Sequence, residues 1–476
     1  MNTMRKPLRS LVNMAVVSMM ASGMAHATGF ALYTEGNGYS TGNYGAGVAA
    51  EAYDASTGWY NPAGLALIRN EQLVLGGVGV FPTSSVSGRS TYTMDMPGLT
   101  PYVQTFNNID GAENAVVPSM HYARPIGENA TFALSLVSPF GLSTNWDEFS
   151  PVRYQATFTQ LLTMNLSPEV GAKLSDNFSI GAGIDLQHAQ VKFNRMIGAP
   201  NIGPALDLSP MFADTMTYNK GDSNGVGFHA GVMAVFNENH TRLGLNFQSQ
   251  MRHVFKGYSR LSGRLANDGA QIVADPTIAP AVAWSNTLNS SPIVFPSVLT
   301  LSGYHDLSSK LAVLASAVYT GWDSFKTIQL NNIMAPDVAE DGFATISLVN
   351  LSVASPQNFK NVWRLALGAN YKLNDTMMLR VGGGYDETPT NDIDRDMRLP
   401  DASRWALAIG GHYQARPNLG LDLGYTHLFA VKNPTINRTD VLNATNSYNV
   451  NAVAKANADL IGVQLTWLMD KEKHQA

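Results

Sequence analysis

Ser175-Asp176-Asn177-Phe178-Ser179-Ile180-Gly181-Ala182-Gly183-Ile184-Asp185-Leu186-Gln187 is the stretch that decides the fold. After the polar triplet 175–177, Ile180, Ala182, Ile184 and Leu186 fall on one face. Ser179, Gly181, Gly183, Asp185 and Gln187 fall on the other. That period of two is a strand with one apolar and one polar face. The same pattern recurs along the chain. Phe228, Ala230, Val232, Ala234 and Phe236 precede a turn at Asn237, and Leu243, Leu245 and Phe247 follow it. Trp363, Leu365, Leu367, Ala369 and Tyr371 share a face, as do Trp405, Leu407, Ile409, Gly411 and Tyr413. Leu419, Leu421, Leu423 and Tyr425 form another such set, and Ile461, Val463, Leu465 and Trp467 the last. Aromatic residues collect at segment ends, where membrane-interface girdles belong.

Fourteen segments can be placed, near 71–81, 116–124, 130–139, 153–174, 177–193, 225–236, 241–254, 296–305, 310–325, 360–372, 377–386, 403–414, 419–428 and 458–467. Their connections alternate in length. Short links include 175–177, 237–240, 306–309, 373–376 and 415–418, and long ones 82–115, 194–224, 255–295, 326–359 and 429–456. A soluble β-sandwich has no reason to put every long loop at one end. The pattern predicts an all-β, 14-stranded antiparallel transmembrane β-barrel in a bacterial outer membrane, with tight turns inside and long loops outside. The even count returns both termini to the periplasm.

Composition agrees. Charged residues are 14% of 476, while mean hydropathy is only −0.06. No run of 18 apolar residues occurs, so no transmembrane helix is expected. Arg5, Lys6 and Arg9 precede a largely apolar stretch over 11–25, and Ala25-His26-Ala27 offers a small-residue cleavage site. These features predict a signal peptide over 1–27, with maturation at Thr28. Its removal takes three basic residues and no acids, moving the formal charge from −5 to −8. Cysteine is absent, so stability must come from strand pairing and burial rather than disulfides. The acidic balance argues against nucleic acid as a partner.

Residues 28–70 do not alternate. They are rich in Gly, Ala, Ser, Asn and Tyr, punctuated by Asn61-Pro62-Ala63-Gly64. We read them as an N-terminal hatch inside a barrel spanning 71–468; a disordered periplasmic extension is the other reading. A polar tail, 469–476, follows. Many barrels end at an aromatic residue; here Trp467 stands nine residues before the end.

Several stretches resemble the long-chain fatty acid transport protein (FadL) family of outer-membrane channels, which includes toluene and xylene importers. They are Gly29-Phe30-Ala31-Leu32, Asn61-Pro62-Ala63, Ser138-Pro139-Phe140-Gly141-Leu142, Arg153-Tyr154 with Pro168, and Asp386-Glu387-Thr388-Pro389 followed by Arg398-Leu399-Pro400-Asp401 and Arg404. Each is weak alone; their order and spacing carry the likeness. The resemblance implies passive uptake of hydrophobic molecules. Ligand is held first in an apolar groove among the outer loops, then in an interior pocket. It leaves sideways through the wall, where the third strand kinks.

On that basis Pro139, Phe140 and Gly141 become a candidate lateral opening, although Pro-Phe-Gly by itself is only a turn signal. Leu206, Met211, Phe212, Ile272, Val273 and Trp284 are candidates for the loop groove, because apolar clusters in surface loops mark a binding surface; packing of loop on loop is the other reading. Arg364, Arg380 and Arg404 point inward by parity. They are candidates for holding a fatty-acid carboxylate, or they pair with luminal acids such as Asp386, Asp185 or Glu169. Asn61, Pro62 and Ala63 are expected to shape the hatch through a fixed backbone and amide hydrogen bonds, or simply to make a turn. No H-E-x-x-H or G-x-S-x-G occurs, so no catalytic residue is assigned and no enzyme is expected. Neither metal nor cofactor is expected. The expected partners are a long-chain fatty acid or another hydrophobic small molecule, with outer-membrane lipid and lipopolysaccharide around a monomer. An aromatic hydrocarbon is the alternative cargo; a non-selective porin or an adhesin barrel is a more remote reading.

Overall fold

The computed structural model describes residues 29–469 apart from 276 and 340–343. The signal peptide over 1–27 and the tail beyond Met469 lie outside the described residues. Fourteen strands form the wall: β1 (Gln72–Met94), β2 (Ala115–Ile126), β3 (Ala130–Val137), β4 (Phe158–Lys173), β5 (Phe178–Ile197), β6 (Thr215–Phe236), β7 (Thr241–Gln248), β8 (Val298–Asp306), β9 (Leu311–Thr320), β10 (Val362–Lys372), β11 (Met377–Asp386), β12 (Arg404–Arg416), β13 (Leu419–Ala430) and β14 (Asn446–Leu468). Each pairs antiparallel with the next. β14 closes the ring on β1, from Gln72↔Leu468 to Met94↔Asn446. Ring closure pairs the wall all round except along one stretch of β2, as hydrocarbon demands of a spanning sheet. Outward residues such as Ile184, Val226, Leu367 and Leu407 are exposed and apolar.

The outer ends differ from the sequence reading. The long links are largely β-structure. Tyr102–Asp110 pairs back on β1, Lys256–Gly263 extends the sheet from β6 and pairs Ala281–Ser290, Thr327–Val338 pairs Ile346–Pro356, and Thr435–Val441 pairs β14. These strands stand clear of lipid, so neither face needs an apolar stripe and the period-two signal is lost. β6 starts at Thr215 rather than near 225 for the same reason, through Thr217, Asn219, Lys220 and Asp222. In contrast, β4 begins only at Phe158, not near 153. Before it, Arg153 and Tyr154 fold back onto Asp214, with Nε 2.7 Å and the phenol 2.6 Å from its carboxylate.

Residues 29–68 are almost wholly buried and contact inward residues around the ring. Two rows of glycine face them. Gly171, Gly181 and Gly231 are directly paired on β4, β5 and β6. A Cβ at any of them would collide with Asn61 or Pro62. Gly410, Gly424 and Gly462 are likewise paired on β12, β13 and β14, where a Cβ would run into the backbone of 38–42. Glycine weakens a strand in isolation. Here it lets a second backbone approach the wall.

Candidate ligand pathway

The wall is interrupted between β2 and β3. β3 pairs β2 only from Ile126↔Ala130 to Met120↔Leu136. Ala115–Ser119 of β2 keeps β1 as partner on one side and has no strand partner on the other. After Val137 the chain turns inward, and Gly141–Asn145 pairs β4 alone. A single bridge, Ala112↔Thr144, closes the outer end of the interruption. Pro139, Phe140 and Gly141 sit at the turn, and their polar groups find new partners. Leu32 N–H donates to the Pro139 carbonyl and Gly141 N–H to the Phe30 carbonyl, both at 2.8 Å. The Thr163 hydroxyl lies 2.6 Å from the Phe140 carbonyl and 3.0 Å from its amide nitrogen. The inward turn is therefore held by the N-terminal segment and by one wall side chain.

Phe30 fills the space behind this turn. Its ring meets Trp322 at 4.5 Å, Phe325 at 5.1 Å, Phe295 at 5.7 Å and Phe140 at 5.9 Å between centroids. Such edge-on pairs add about 0.5–1.5 kcal/mol each beyond area burial. The cluster separates two cavities. The inner one, about 800 Å³ with its mouth, touches Leu32, Pro139, Phe140, Val318, Arg364 and Asp386. The outer one, about 550 Å³ with its mouth, is walled by Phe30, Leu142, Leu161, Phe193, Phe255 and Phe359, with Asp396 and Arg398 at its rim. Phe30 carries no role in the sequence reading beyond its place in a motif, because no local pattern tells which distant rings it meets.

Gly29 is tied down beside these rings. Gly29 N–H donates to Asp401 at 2.8 Å, and Thr388 donates to the same carboxylate at 2.5 Å. Arg404 pairs with Asp401 from the other side. Gly29 has φ +63°, and a Cβ there would crowd Pro389 and Trp322.

The three inward arginines occupy two places. Arg364, Asp386 and Arg404 share one rung across β10, β11 and β12. Arg364 Nη2 donates to the Tyr44 carbonyl at 2.7 Å and stacks 3.9 Å over the Tyr44 ring. Its Nη1 is buried without a hydrogen-bond partner, in a residue that lines the inner cavity. Arg380 lies deeper toward the short turns. It pairs with Asp422 at 2.6 Å beneath the Tyr39 and Tyr53 rings. Among the acids considered from sequence, Glu169 and Asp185 flank His229 instead, at 3.6 Å and 3.0 Å. Arg380→Met leaves Asp422 buried without its cation, which costs about 3–5 kcal/mol. We expect the variant barrel to unfold at a clearly lower temperature in detergent, read by the heat-dependent shift of the folded band on a gel. An unchanged transition would mean that the pair is dispensable.

Asn61 reaches two backbones. Its Nδ2 donates to the Ala49 carbonyl at 2.8 Å and to the Val232 carbonyl at 3.1 Å, and its Oδ1 accepts from Ala63 N–H. Pro62 opens the short helix Pro62–Leu67, where its missing N–H costs nothing, and the Ala63 carbonyl accepts from Ser179 at 2.9 Å. In the outer loops Phe212 and Ile272 are core to one apolar cluster, with Val273 packed against it. Leu206 and Met211 stand exposed on the same loop. Trp284 is elsewhere. It lies exposed on Ala281–Ser290, against Tyr258 at 5.4 Å, because strand pairing carries it to the outer face.

Residues 18–468 match the outer membrane protein transport protein family (OMPP1/FadL/TodX). A long-chain fatty acid transport protein of Escherichia coli is 26% identical over 447 residues, covering 89% of this chain and 93% of its own. The crystal structure of a Pseudomonas aeruginosa FadL homologue superposes with a TM-score of 0.75 at 24% identity, over 93% of this chain and 100% of that one. The toluene transporter TodX of Pseudomonas putida superposes at 0.65 with 16% identity, over 93% and 100%. At these identities the two structures speak for the fold alone.

Proposed function

We propose a cargo and a route for this chain, which belongs to the outer membrane protein transport protein family (OMPP1/FadL/TodX) and is an outer-membrane transporter of hydrophobic molecules. The cargo is a long-chain fatty acid, and it moves passively from one apolar site to the next. Each methylene leaving water is worth about 0.8 kcal/mol, so a water-filled pore offers an acyl chain nothing. Segment 29–68 acts as a hatch that blocks the straight path. Cargo rests first against Leu206, Met211, Phe212, Ile272 and Val273, then enters the cavities on either side of Phe30. It leaves sideways between β2 and β3, past Pro139, Phe140 and Gly141.

The observation that carries this reading is the wall interruption facing an apolar cavity that touches Pro139 and Phe140. The identity of the cargo rests on Arg364, which lines that cavity and whose Nη1 is buried without a hydrogen-bond partner. A buried cation with an open donor selects a carboxylate, and a charged hydrogen bond contributes about 1.5–3 kcal/mol. Arg364→Ala is expected to weaken oleate binding by roughly tenfold to a hundredfold and to leave a neutral hydrocarbon of similar length unaffected. Arg380→Ala and Arg404→Ala, whose guanidinium groups are engaged with Asp422 and Asp401, are expected to change oleate affinity less, measured by fluorescent-ligand displacement. If oleate binding ignores all three arginines while toluene binds well, the cargo is an aromatic hydrocarbon.

A further inference from the structure

The outward faces of β5 and β6 continue past the membrane, and they change chemistry there. Leu186 and Val226 form the last exposed apolar row, directly paired. On the same face, six residues further, Lys192 of β5 stands directly opposite Lys220 of β6. The next strand, Lys256–Gly263, carries the surface on: Lys256 faces Asp222, Tyr258 faces Lys220 and Arg260 faces Tyr218. Side chains directly opposite have Cβ atoms about 5 Å apart and diagonal ones about 7–8 Å. Four cations therefore share one small area of sheet in a chain whose net charge is −5.

Little within the protein answers them. Among the described residues Lys192 meets the Phe158 ring, at 5.8 Å. Arg260 lies 4.1 Å over the Tyr218 ring and 5.5 Å from the Trp284 ring, and its Nε has no hydrogen-bond partner. Two acids are near. Asp222 accepts from Gln190 at 2.7 Å and lies 3.8 Å from His188, and Glu148 accepts from Tyr218 at 3.5 Å. Among the described residues, four cations against two carboxylates leave the surface positive. Like charges directly opposite one another destabilise a strand pair. An anion seated between Lys192 and Lys220 reverses the sign of that interaction.

Height identifies the anion. At about 3.3 Å per residue and a strand tilt of about 40°, the lysine row stands roughly 15 Å beyond the Leu186–Val226 row. Lys256 stands roughly 10 Å beyond it. The headgroup layer of an ordinary phospholipid leaflet is only about 5–8 Å deep. The cations thus lie above phospholipid phosphates, at the level of a sugar layer, and at the long-loop, outward end of the barrel. Exposed Tyr258 and Trp284 flank them, offering amphipathic rings of the kind that suit an interface.

We propose that Lys192, Lys220, Lys256 and Arg260 form a docking surface for a phosphorylated glycolipid of the outer leaflet, with sugar-borne phosphate between the two facing lysines. This rests on the outer-membrane location of the chain and not on the nature of its cargo.

The test uses the full chain purified in detergent and rough-type lipopolysaccharide with intact core and lipid A phosphates, with bound glycolipid counted by native mass spectrometry. Wild type is expected to retain it. Lys192→Gln with Lys220→Gln should weaken retention by roughly tenfold, and adding Lys256→Gln and Arg260→Gln should abolish it. Lys310→Gln with Lys372→Gln, at the short-turn end, should change nothing. Enzymatically dephosphorylated lipopolysaccharide should bind wild type as poorly as the intact form binds the fourfold variant. Equal retention by wild type and the fourfold variant overturns the proposal, as does equal loss in the short-turn variant. Displacement by anionic phospholipid or inorganic pyrophosphate at matched phosphate concentration overturns the glycolipid assignment. Oleate binding and the heat-dependent gel shift, measured on each variant, confirm that the barrel is folded and keep this result separate from the cargo.

Discussion

Deleting residues 29–68 should turn a nearly silent protein into an open ion pore, with single-channel conductance in planar bilayers rising by roughly tenfold or more. The argument begins with the wall. Its fourteen strands pair with one another around the ring, so away from the β2–β3 interruption their backbone hydrogen bonds do not depend on what lies inside. Arg380–Asp422 and Arg404–Asp401 are contacts between residues of the barrel chain beyond 70 and survive the deletion. The lost contacts are those of the segment itself, among them Leu32 to the Pro139 carbonyl and the Gly141 amide to the Phe30 carbonyl, Gly29 to Asp401, Asn61 to Val232, Gln464 to Asp54 at 2.6 Å, Asn370 to Glu51 at 2.7 Å, and Thr426 to the Thr41 carbonyl at 2.5 Å. Water entering the lumen can replace each of these. The two glycine rows that now face backbone would face solvent and add width. A deletion variant that folds, by the gel shift, yet remains non-conducting would falsify the view that this segment is the block. A conducting wild type would favour the porin reading instead.

Lipid-facing alternation made the wall legible from sequence. Ile180, Ala182, Ile184 and Leu186 touch acyl chains and must be apolar; Ser179 and Asp185 do not and need not be. The constraint ends where lipid ends. Beyond Leu186, β5 runs on through His188, Gln190 and Lys192 with no apolar stripe, and the sequence reading stops its strand near 193 and reads a loop where Lys220 and Asp222 continue β6. The same loss of signal hid the hairpins of the outer ends. Parity also told which way Arg364, Arg380 and Arg404 point, because direction is local. It could not tell that Arg364 and Arg404 share a rung with Asp386 while Arg380 meets Asp422, because partners are fixed by pairing between distant segments. Gly181, Gly231 and Gly171 show the limit most clearly. Each is an unremarkable strand glycine until register aligns the three against Asn61 and Pro62. Phe30 and its ring of partners from 140, 295, 322, 325 and 359 are equally non-local.

The other large effect should come from straightening the wall. Pro139→Val with Gly141→Val is expected to cut fatty-acid uptake by roughly tenfold or more while leaving a folded barrel. Pro139 has no N–H to give to a ladder, and Gly141 brings no side chain to pack on one. Valine supplies both a donor and a β-branched side chain. The unpaired edge over Ala115–Ser119 of β2 lies beside this stretch, with free backbone groups on the side away from β1. A continuous β3 can pair with it and so close the interruption between the Met120↔Leu136 rung and the Ala112↔Thr144 bridge. Straightening also removes the Pro139 carbonyl from Leu32 and the Gly141 amide from Phe30, so the N-terminal segment loses its hold on the wall. The two consequences can be separated. Closing the interruption lowers uptake and spares oleate binding to purified protein. Freeing Phe30 changes oleate binding as well. Uptake is read with radiolabelled oleate in cells lacking other such channels, and binding by displacement of a fluorescent fatty acid. Uptake at the wild-type rate by a folded double variant removes the sideways exit from the mechanism, and cargo must then leave along the barrel axis past a displaced segment 29–68.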